Sequence, residues 1–227
     1  MEDYLKAIYS LQNEHGPPVS TSDVAAALGK TPPTVTSMLS KLEERGLVAR
    51  EKYKGAELTP EGETVALEVL RHHRLLEAYL TEHLDYDWSE VHEEADALEH
   101  HISEEFERRV AAVLGDPEVD PHGDPIPGAD LEPLGEETAS RLSEHGVGDR
   151  VVVTRVRDRD EAELEYLAEA GIAPGTRLDV VDVAPFGMVT VRVVGEDREQ
   201  SLPDSVAESI RVEPTDPPAN AEGVGEA

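Results

Sequence analysis

The stretch STSDVAAALGKTPPTVTSMLSKLEERGLVAREKYKGAELTPEG, residues 20–62, decides the fold. Ser20, Thr21 and Asp23 supply helix-start signals, an Ala-rich run follows, and Gly29 stops it. A second start signal with Pro32 and Pro33 in the first turn opens another helix, which places Val35, Met38, Leu39 and Leu42 on one face before Gly46. Two short helices across a tight turn form a helix-turn-helix pattern. Residues 47–58 then read as two short strands around Lys54-Gly55, and Thr59-Pro60 caps a new helix. A basic hairpin behind a helix-turn-helix is a wing. Upstream, residues 3–13 read as a helix with Tyr4, Leu5, Ile8 and Leu11 on one face.

Downstream, a long helix is predicted from Glu61 to about Leu84, carrying Val65, Val69, Leu76 and Leu80. Another, from Trp88, carries Val91, Ala95, Leu98 and Ile102 at spacings of three and four, and a third pattern ends at Leu114. These helices have more apolar surface than one thin bundle needs, so a homodimer interface is expected here. Residues 115–135 hold five Pro, four Gly and six acids without Lys or Arg, and read as a linker or ordered loop. Beyond residue 148 the segments DRVVVTRVR, TRLDVVDV, MVTVRVV and SIRVE read as strands, with one helix at DEAELEYLAEAG. The fold class is therefore mainly α with a C-terminal all-β domain. The divisions are 1–63, a winged helix-turn-helix DNA-binding domain; 64–135, a helical domain with its Pro-rich loop; 136–213, a small barrel; and 214–227, a disordered tail.

The chain has 227 residues, no cysteine and a formal net charge of −30. Without cysteine there is no disulfide framework, and a metal site must use nitrogen and oxygen ligands. No apolar run approaches bilayer length and the start, MEDYLKAIY, lacks a signal-peptide core, so a cytoplasmic protein with no membrane partner is expected. Acidity spread through every segment is solvation chemistry for a very salty, halophile-type cytoplasm. In multimolar salt the Debye length falls to about 3 Å or less, so global charge does not exclude nucleic acid. Six of the 20 basic residues fall within residues 30–54, against Glu43, Glu44 and Glu51, a local +3.

That segment carries the candidate DNA contacts. The second helix of a helix-turn-helix enters the major groove of double-stranded DNA, where its N-terminal residues reach base edges. Here those are Thr31, Pro33, Thr34, Thr36, Ser37 and, a turn later, Lys41. Their hydroxyls can read several bases, and Pro and Thr carbons can pack on thymine methyls. Ser20, Thr21, Arg50, Lys52 and Lys54 are placed for phosphates.

Six of the nine histidines lie in residues 72–101. On the helix from Trp88 the residues His92, Asp96 and Glu99 form a stripe beside the apolar one, and His100 lies one turn after Asp96. On the preceding helix His73 and Glu77 are one turn apart. Acids at helical spacing are expected in so acidic a chain. Imidazoles are not needed for solvation and bind metals when neutral. HEEAD lacks the second His of a zinc metalloprotease helix, so no enzyme activity is expected. His72, His83 and His101 are expected at the surface.

The order winged helix, LRHHRLLEAYL, VHEEADALEHHISEEFERRV, DPHGDPIPG, small barrel resembles the diphtheria toxin repressor family of metal-dependent transcriptional repressors, with its iron and manganese branches, over residues 1 to about 213. The resemblance implies an SH3-like, FeoA-like third domain and a homodimer that grips a palindromic operator and shuts off metal-uptake genes with a divalent corepressor. It puts a primary site at Asp3, Asp96, Glu99 and His100, and an ancillary site at His73, Glu77 and His92 with Asp160 and Glu163, two sites per subunit. Another branch's second site maps to Glu77, Asp120 and His122. Asp3 and Asp96 stand where the diphtheria-type branch has sulfur, which favours a harder ion, Mn²⁺ ahead of Fe²⁺. Lys6 stands where the manganese branch has Glu, a departure that bears on a two-ion cluster. Two rivals are a winged-helix regulator with a purely structural metal and a metallohydrolase, for which no nucleophile and base are evident.

Overall fold

The computed structural model describes residues 1–51, 54–135, 138–157, 161–185 and 187–215. The chain divides into two compact units. One comprises Met1–Tyr79, Glu93–Glu118 and Pro125–Glu136, the other Leu80–His92, Val119–Asp124 and Glu137–Ala227.

In the first unit α1 (Glu2–His15), α2 (Thr21–Ala27) and α3 (Pro32–Glu44) precede the hairpin β1 (Val48–Glu51) and β2 (Gly55–Leu58), followed by the long α4 (Pro60–Leu84). Ser20 caps α2 by accepting from the Asp23 amide at 3.1 Å, and Pro32 starts α3, where a missing N–H costs nothing. The apolar faces of these helices meet in one core. Leu5 and Ile8 of α1, Val24 of α2, Val35, Leu39 and Leu42 of α3, and Leu67 and Leu70 of α4 are buried together. The hairpin pairs antiparallel from Val48–Leu58 to Glu51–Gly55, and Ala56 exchanges 2.9 Å backbone hydrogen bonds with Val19. The wing is thus pinned to the strand-like segment before α2, and the Leu58 amide donates to Gln12 Oε1 of α1 at 2.8 Å.

Thr59 caps α4 as its sequence position implies: its hydroxyl accepts from the Gly62 amide at 3.1 Å and donates to the Gly46 carbonyl at 2.7 Å. This brings the first turn of α4 against the end of the helix-turn-helix so closely that a Cβ on Gly62 would lie 1.9 Å from the Leu47 carbonyl oxygen. Farther along α4, Leu75 packs with Val110 and Ala111 of α6 (Glu104–Val113) and with Ile126. Arg71 locks that seam, donating to Glu107 Oε1 at 2.5 Å and to the Pro127 carbonyl at 2.6 Å. The helix predicted from Trp88 is shorter than its apolar stripe: α5 spans Val91–Leu98, and His100 and His101 lie on the turn that ends it.

In the second unit the expected small β domain is a six-stranded antiparallel sheet in the order β3-β8-β4-β5-β6-β7. Its strands are β3 (Ser140–Arg141), β4 (Arg150–Val156), β5 (Arg177–Ala184), β6 (Met188–Val193), β7 (Glu199–Pro203) and β8 (Ile210–Pro214), with α7 (Glu161–Glu169) and the short α8 (Asp204–Ser209) between strands. Strand β4 alternates Val151 and Val153 inward, then shifts register against β8 between Val153 and Arg155, which turns Val156 inward as well. The segments of β7, α8 and β3 are too short and carry too few apolar residues for a sequence pattern to mark them. In the Pro-rich segment Asp120 Oδ1 accepts from the amides of His122 and Asp124 at 2.8 and 2.9 Å, an Asx-type turn. Gly123, at φ +87°, follows; a Cβ there would lie 2.0 Å from the Thr154 carbonyl oxygen. The segment is ordered, not a tether. The tail expected to be disordered lies, from residue 216 on, outside the described residues. Among the described residues no helix is long and apolar enough to cross a membrane.

Gly62→Ala is expected to destabilise the first unit by about 3 kcal/mol or more, because backbone must move to admit the methyl group. Gly135→Ala, which meets nothing within 4 Å, is the control. Equal melting temperatures for the two variants would contradict the close approach.

Candidate metal centre and nucleic-acid interface

Residues of three helices converge on one polar cluster in the first unit. The first turns of α1 present Asp3 and Lys6 on one face, three residues apart. Helix α4 presents His73 and Glu77, four apart, and α5 with its terminal turn presents Asp96, Glu99 and His100. Glu99 is the hinge of the arrangement. It is 2% exposed, its Oε1 lies 3.4 Å from His100 Nε2, and its Oε2 lies 2.7 Å from His73 Nδ1.

The four residues assigned by resemblance to the primary site are divided between two groups. Asp3 Oδ1 lies 2.7 Å from His100 Nε2, so Asp3, Glu99 and His100 form one set of donors. Asp96 belongs to the neighbouring set with His73 and Glu99; its Oδ1 is 3.2 Å from His73 Nδ1. The reason is Lys6, whose ammonium donates to Asp96 Oδ1 at 2.7 Å and Glu99 Oε2 at 2.8 Å and stands 3.3 Å from His73 Nδ1. Glu2 adds a further carboxylate, 2.7 Å from His100 Nδ1.

Charge explains why these groups are held as they are. Burial disfavours the ammonium of Lys6, but Glu99 and Asp96 outweigh it and hold its pKa above the ordinary lysine value. Burial likewise opposes charge on His73, yet the Glu77 carboxylate and the bonds to Asp96, Glu77 and Glu99 raise it well above the ordinary histidine value. For Asp96 burial works upward, while His73 and Lys6 together draw its pKa far below the usual carboxylate range. Asp3, Glu77, Asp96 and Glu99 still set four carboxylates against one ammonium and two imidazoles. Buried carboxylates need paired positive charge. A donor set of oxygen and nitrogen with a surplus of negative charge fits a hard or borderline divalent cation, and Asp3, Glu99 and His100 have one donor atom each within 4.8 Å of the others.

The residues of the ancillary assignment are divided between the two units. His73 Nε2 lies 3.0 Å from Glu77 Oε1, and both side chains are buried in the first unit. His92 and Glu163 belong to the second unit, where Glu163 accepts a hydrogen bond from Ser209; Asp160 lies outside the described residues. Of the alternative set, Asp120 shapes its own loop and His122 Nε2 lies 2.6 Å from the Trp88 carbonyl. Among the histidines expected at the surface, His83 and His101 are exposed but His72 is buried, its Nδ1 3.2 Å from the Glu99 carbonyl and its Nε2 3.3 Å from Glu107. His72 thus holds the backbone that carries Glu99, a role its place in a His-His pair does not reveal.

On the recognition helix Thr31, Pro33, Thr34, Thr36, Ser37 and Lys41 are all exposed, and the first turn carries no acid. The Thr31 and Thr34 hydroxyls pair at 2.9 Å, and Thr36 donates to the Pro32 carbonyl at 2.9 Å. Ser20 is occupied as the cap of α2, and Thr21 begins that helix. Arg50 braces the wing against α3, donating to Ser40 Oγ at 2.8 Å and lying 3.6 Å from Glu43. Lys54, at the wing tip, is exposed and paired with Glu51 at 2.7 Å; Lys52 lies outside the described residues.

Comparison with known proteins finds matches over most of the chain. Residues 1–56 match the iron dependent repressor N-terminal DNA binding domain, residues 59–128 the iron dependent repressor metal binding and dimerisation domain, and residues 140–214 the FeoA domain. The chain is 34% identical over 223 residues to the iron-dependent repressor IdeR of Mycobacterium tuberculosis, covering 93% of this chain and 96% of the relative. It is 36% identical over 225 residues to the diphtheria toxin repressor of Corynebacterium efficiens, covering 95% of each. A manganese-dependent transcriptional repressor solved in complex with manganese superposes with a TM-score of 0.85 at 38% identity, covering 94% of this chain and 99% of that one.

Two outcomes follow from this geometry. In the metal-free protein the raised pKa of His73 adds stability that is complete below its ordinary 6.5 and is lost as pH rises through the folded value, whereas the depressed Asp96 contributes fully above 3.8 and fails only in strong acid. The melting temperature should therefore fall as pH rises above 6.5 through the raised folded value of His73, and fall less in His73→Gln; parallel profiles would contradict the pairing. Lys54→Gln should weaken binding to the protein's own upstream DNA and to a random duplex alike, and lower the salt slope by about 0.9. A loss confined to one sequence would assign Lys54 to base reading instead.

Proposed function

Because this chain belongs to the iron-dependent repressor family, whose members are metal-dependent DNA-binding transcriptional repressors and not enzymes, we propose that its corepressor is Mn²⁺, with Fe²⁺ the alternative, and that the genes it silences serve metal uptake. The observation that carries this reading is the 2.7 Å approach of Asp3, on the first helix of the DNA-binding head, to His100 on the turn after α5, with Glu99 beside them.

Asp3, Glu99 and His100 would hold the primary ion. Its ligands are two carboxylates and an imidazole with no sulfur, which supports manganese over softer ions. His73 and Glu77 are the first unit's part of the second site that the family resemblance implies, giving two per subunit. A bound divalent ion supplies positive charge between carboxylates that otherwise repel one another. The chain's own residues turn that charge into position. Asp3 is rooted on α1, whose Leu5 and Ile8 share a core with Val35, Leu39 and Leu42 of α3. Fixing Asp3 against Glu99 and His100 therefore fixes the recognition helix relative to the helical region.

The repressor acts on double-stranded DNA as a homodimer, a pairing supported by Phe106 and Val113, which α6 leaves exposed. A palindromic operator follows from two-fold symmetry, with half-sites about one helical turn apart. Metal affinity and operator affinity are then linked through one conformational equilibrium. Expected Mn²⁺-stimulated operator binding is tested by gel shift with the protein's own upstream region. Asp3→Ala should leave basal DNA affinity in place but abolish its rise with Mn²⁺, a loss of about tenfold or more. A normal rise in the variant would refute this route, and unfolding on chelation would favour a structural metal.

A further inference from the structure

The cluster holds two three-donor groups that share one carboxylate: Asp3, Glu99 and His100 on one side, and His73, Asp96 and Glu99 on the other. A carboxylate with its two oxygens turned to different donor groups is the geometry of a two-ion cluster. Here the second group is already served. Lys6 Nζ meets one donor atom from each of its three members, at 2.7 Å for Asp96, 2.8 Å for Glu99 and 3.3 Å for His73.

We propose that the Lys6 ammonium is a resident cation that fills the second ion position, so that this cluster takes one divalent ion, on Asp3, Glu99 and His100, and not a closely spaced pair. The inference rests on the reading of those three residues as ion ligands. It concerns only the Nδ1 side of His73; the Nε2 side, facing Glu77, is separate. Lys6 is well placed to stay. Its neighbours Leu5 and Ile8 on α1 are 1% and 0% exposed, so its backbone is fixed in the core, and its ammonium is held by two carboxylates. A tethered ammonium does not exchange with bulk cations, and it repels a divalent ion from the adjoining position by like charge. The Glu99 carboxylate is thereby shared between one covalently attached cation and one exchangeable ion.

The test uses the full chain, stripped with a chelator and reloaded with Mn²⁺, reading ions per subunit by elemental analysis and Mn–Mn exchange coupling by electron paramagnetic resonance. Wild type should show uncoupled Mn²⁺ signals. Lys6→Glu should bind one further ion per subunit and show a coupled pair. Lys6→Gln, checked for fold by circular dichroism, should also admit the further ion, more weakly, for lack of a carboxylate. A coupled pair in wild type, or unchanged counts and uncoupled spectra in both variants, would overturn the proposal. His100→Ala provides the separate control. If it left the wild-type count and spectrum unchanged, the assignment of the ion ligands would fail, and the Lys6 inference with it.

Discussion

The buried carboxylate of Glu99 is the constraint on which the first unit's polar architecture depends. A carboxylate removed from water is costly unless positive charge and hydrogen bonds replace its hydration. Every surrounding choice answers that demand. His72 holds its backbone carbonyl, His73 and Lys6 face one oxygen, and His100 faces the other. These partners come from α1, α4 and the turn after α5, so satisfying one side chain draws three segments together. The charge problem is also the assembly instruction.

That dependence explains an apparent contradiction in a DNA-binding chain with a net charge of −30. Self-repulsion across the surface acts at long range and is screened by salt, whereas ion pairs at about 3 Å inside a helical cluster are screened far less. Acidic solvation of the exterior and charge-directed assembly of the interior can therefore coexist. At the first turn of α3 the solution is different: hydroxyls and Pro carbons replace acids, so that surface is neutral rather than acidic.

Much of this was legible in the sequence because helix faces and caps are local. The apolar spacing of Leu5, Ile8, Val35, Leu39 and Leu42, and the start signals at Ser20, Pro32 and Thr59, each act within a turn or two, and the elements follow them. What escaped reading was set by contacts distant in sequence. The stripe through Ile102 implies a helix beyond Leu98, but the chain leaves helical geometry there and His100 meets Asp3 from the turn. Asp96 and Glu99 share a face, which suggests one site; only Lys6, 90 and 93 residues away, separates their roles. His72 resembles a solvated neighbour of His73 until Glu107, 35 residues on, is placed against it. In the Pro-rich segment composition signals a loop, but order comes from Asp120 accepting two amides and from a glycine pressed against the Thr154 carbonyl.

The placement of the cluster at the first turns of α1 gives the assembly its sensitivity. Met1 caps that helix without a side-chain hydrogen bond, and Glu2 and Asp3 stand in its first turn, where the helix dipole favours acids. The order of that turn is tied to what Asp3 and Glu2 find opposite them. They find His100, a single imidazole on a turn. By contrast, the next turns of α1 are anchored by Leu5 and Ile8 in the core with the recognition helix. Packing thus joins the charge at this turn to the core that carries α3. For the ion site proposed at Asp3, Glu99 and His100 no large motion is needed, because a change in charge at this turn acts directly on a helix whose next turns are packed in the core with α3.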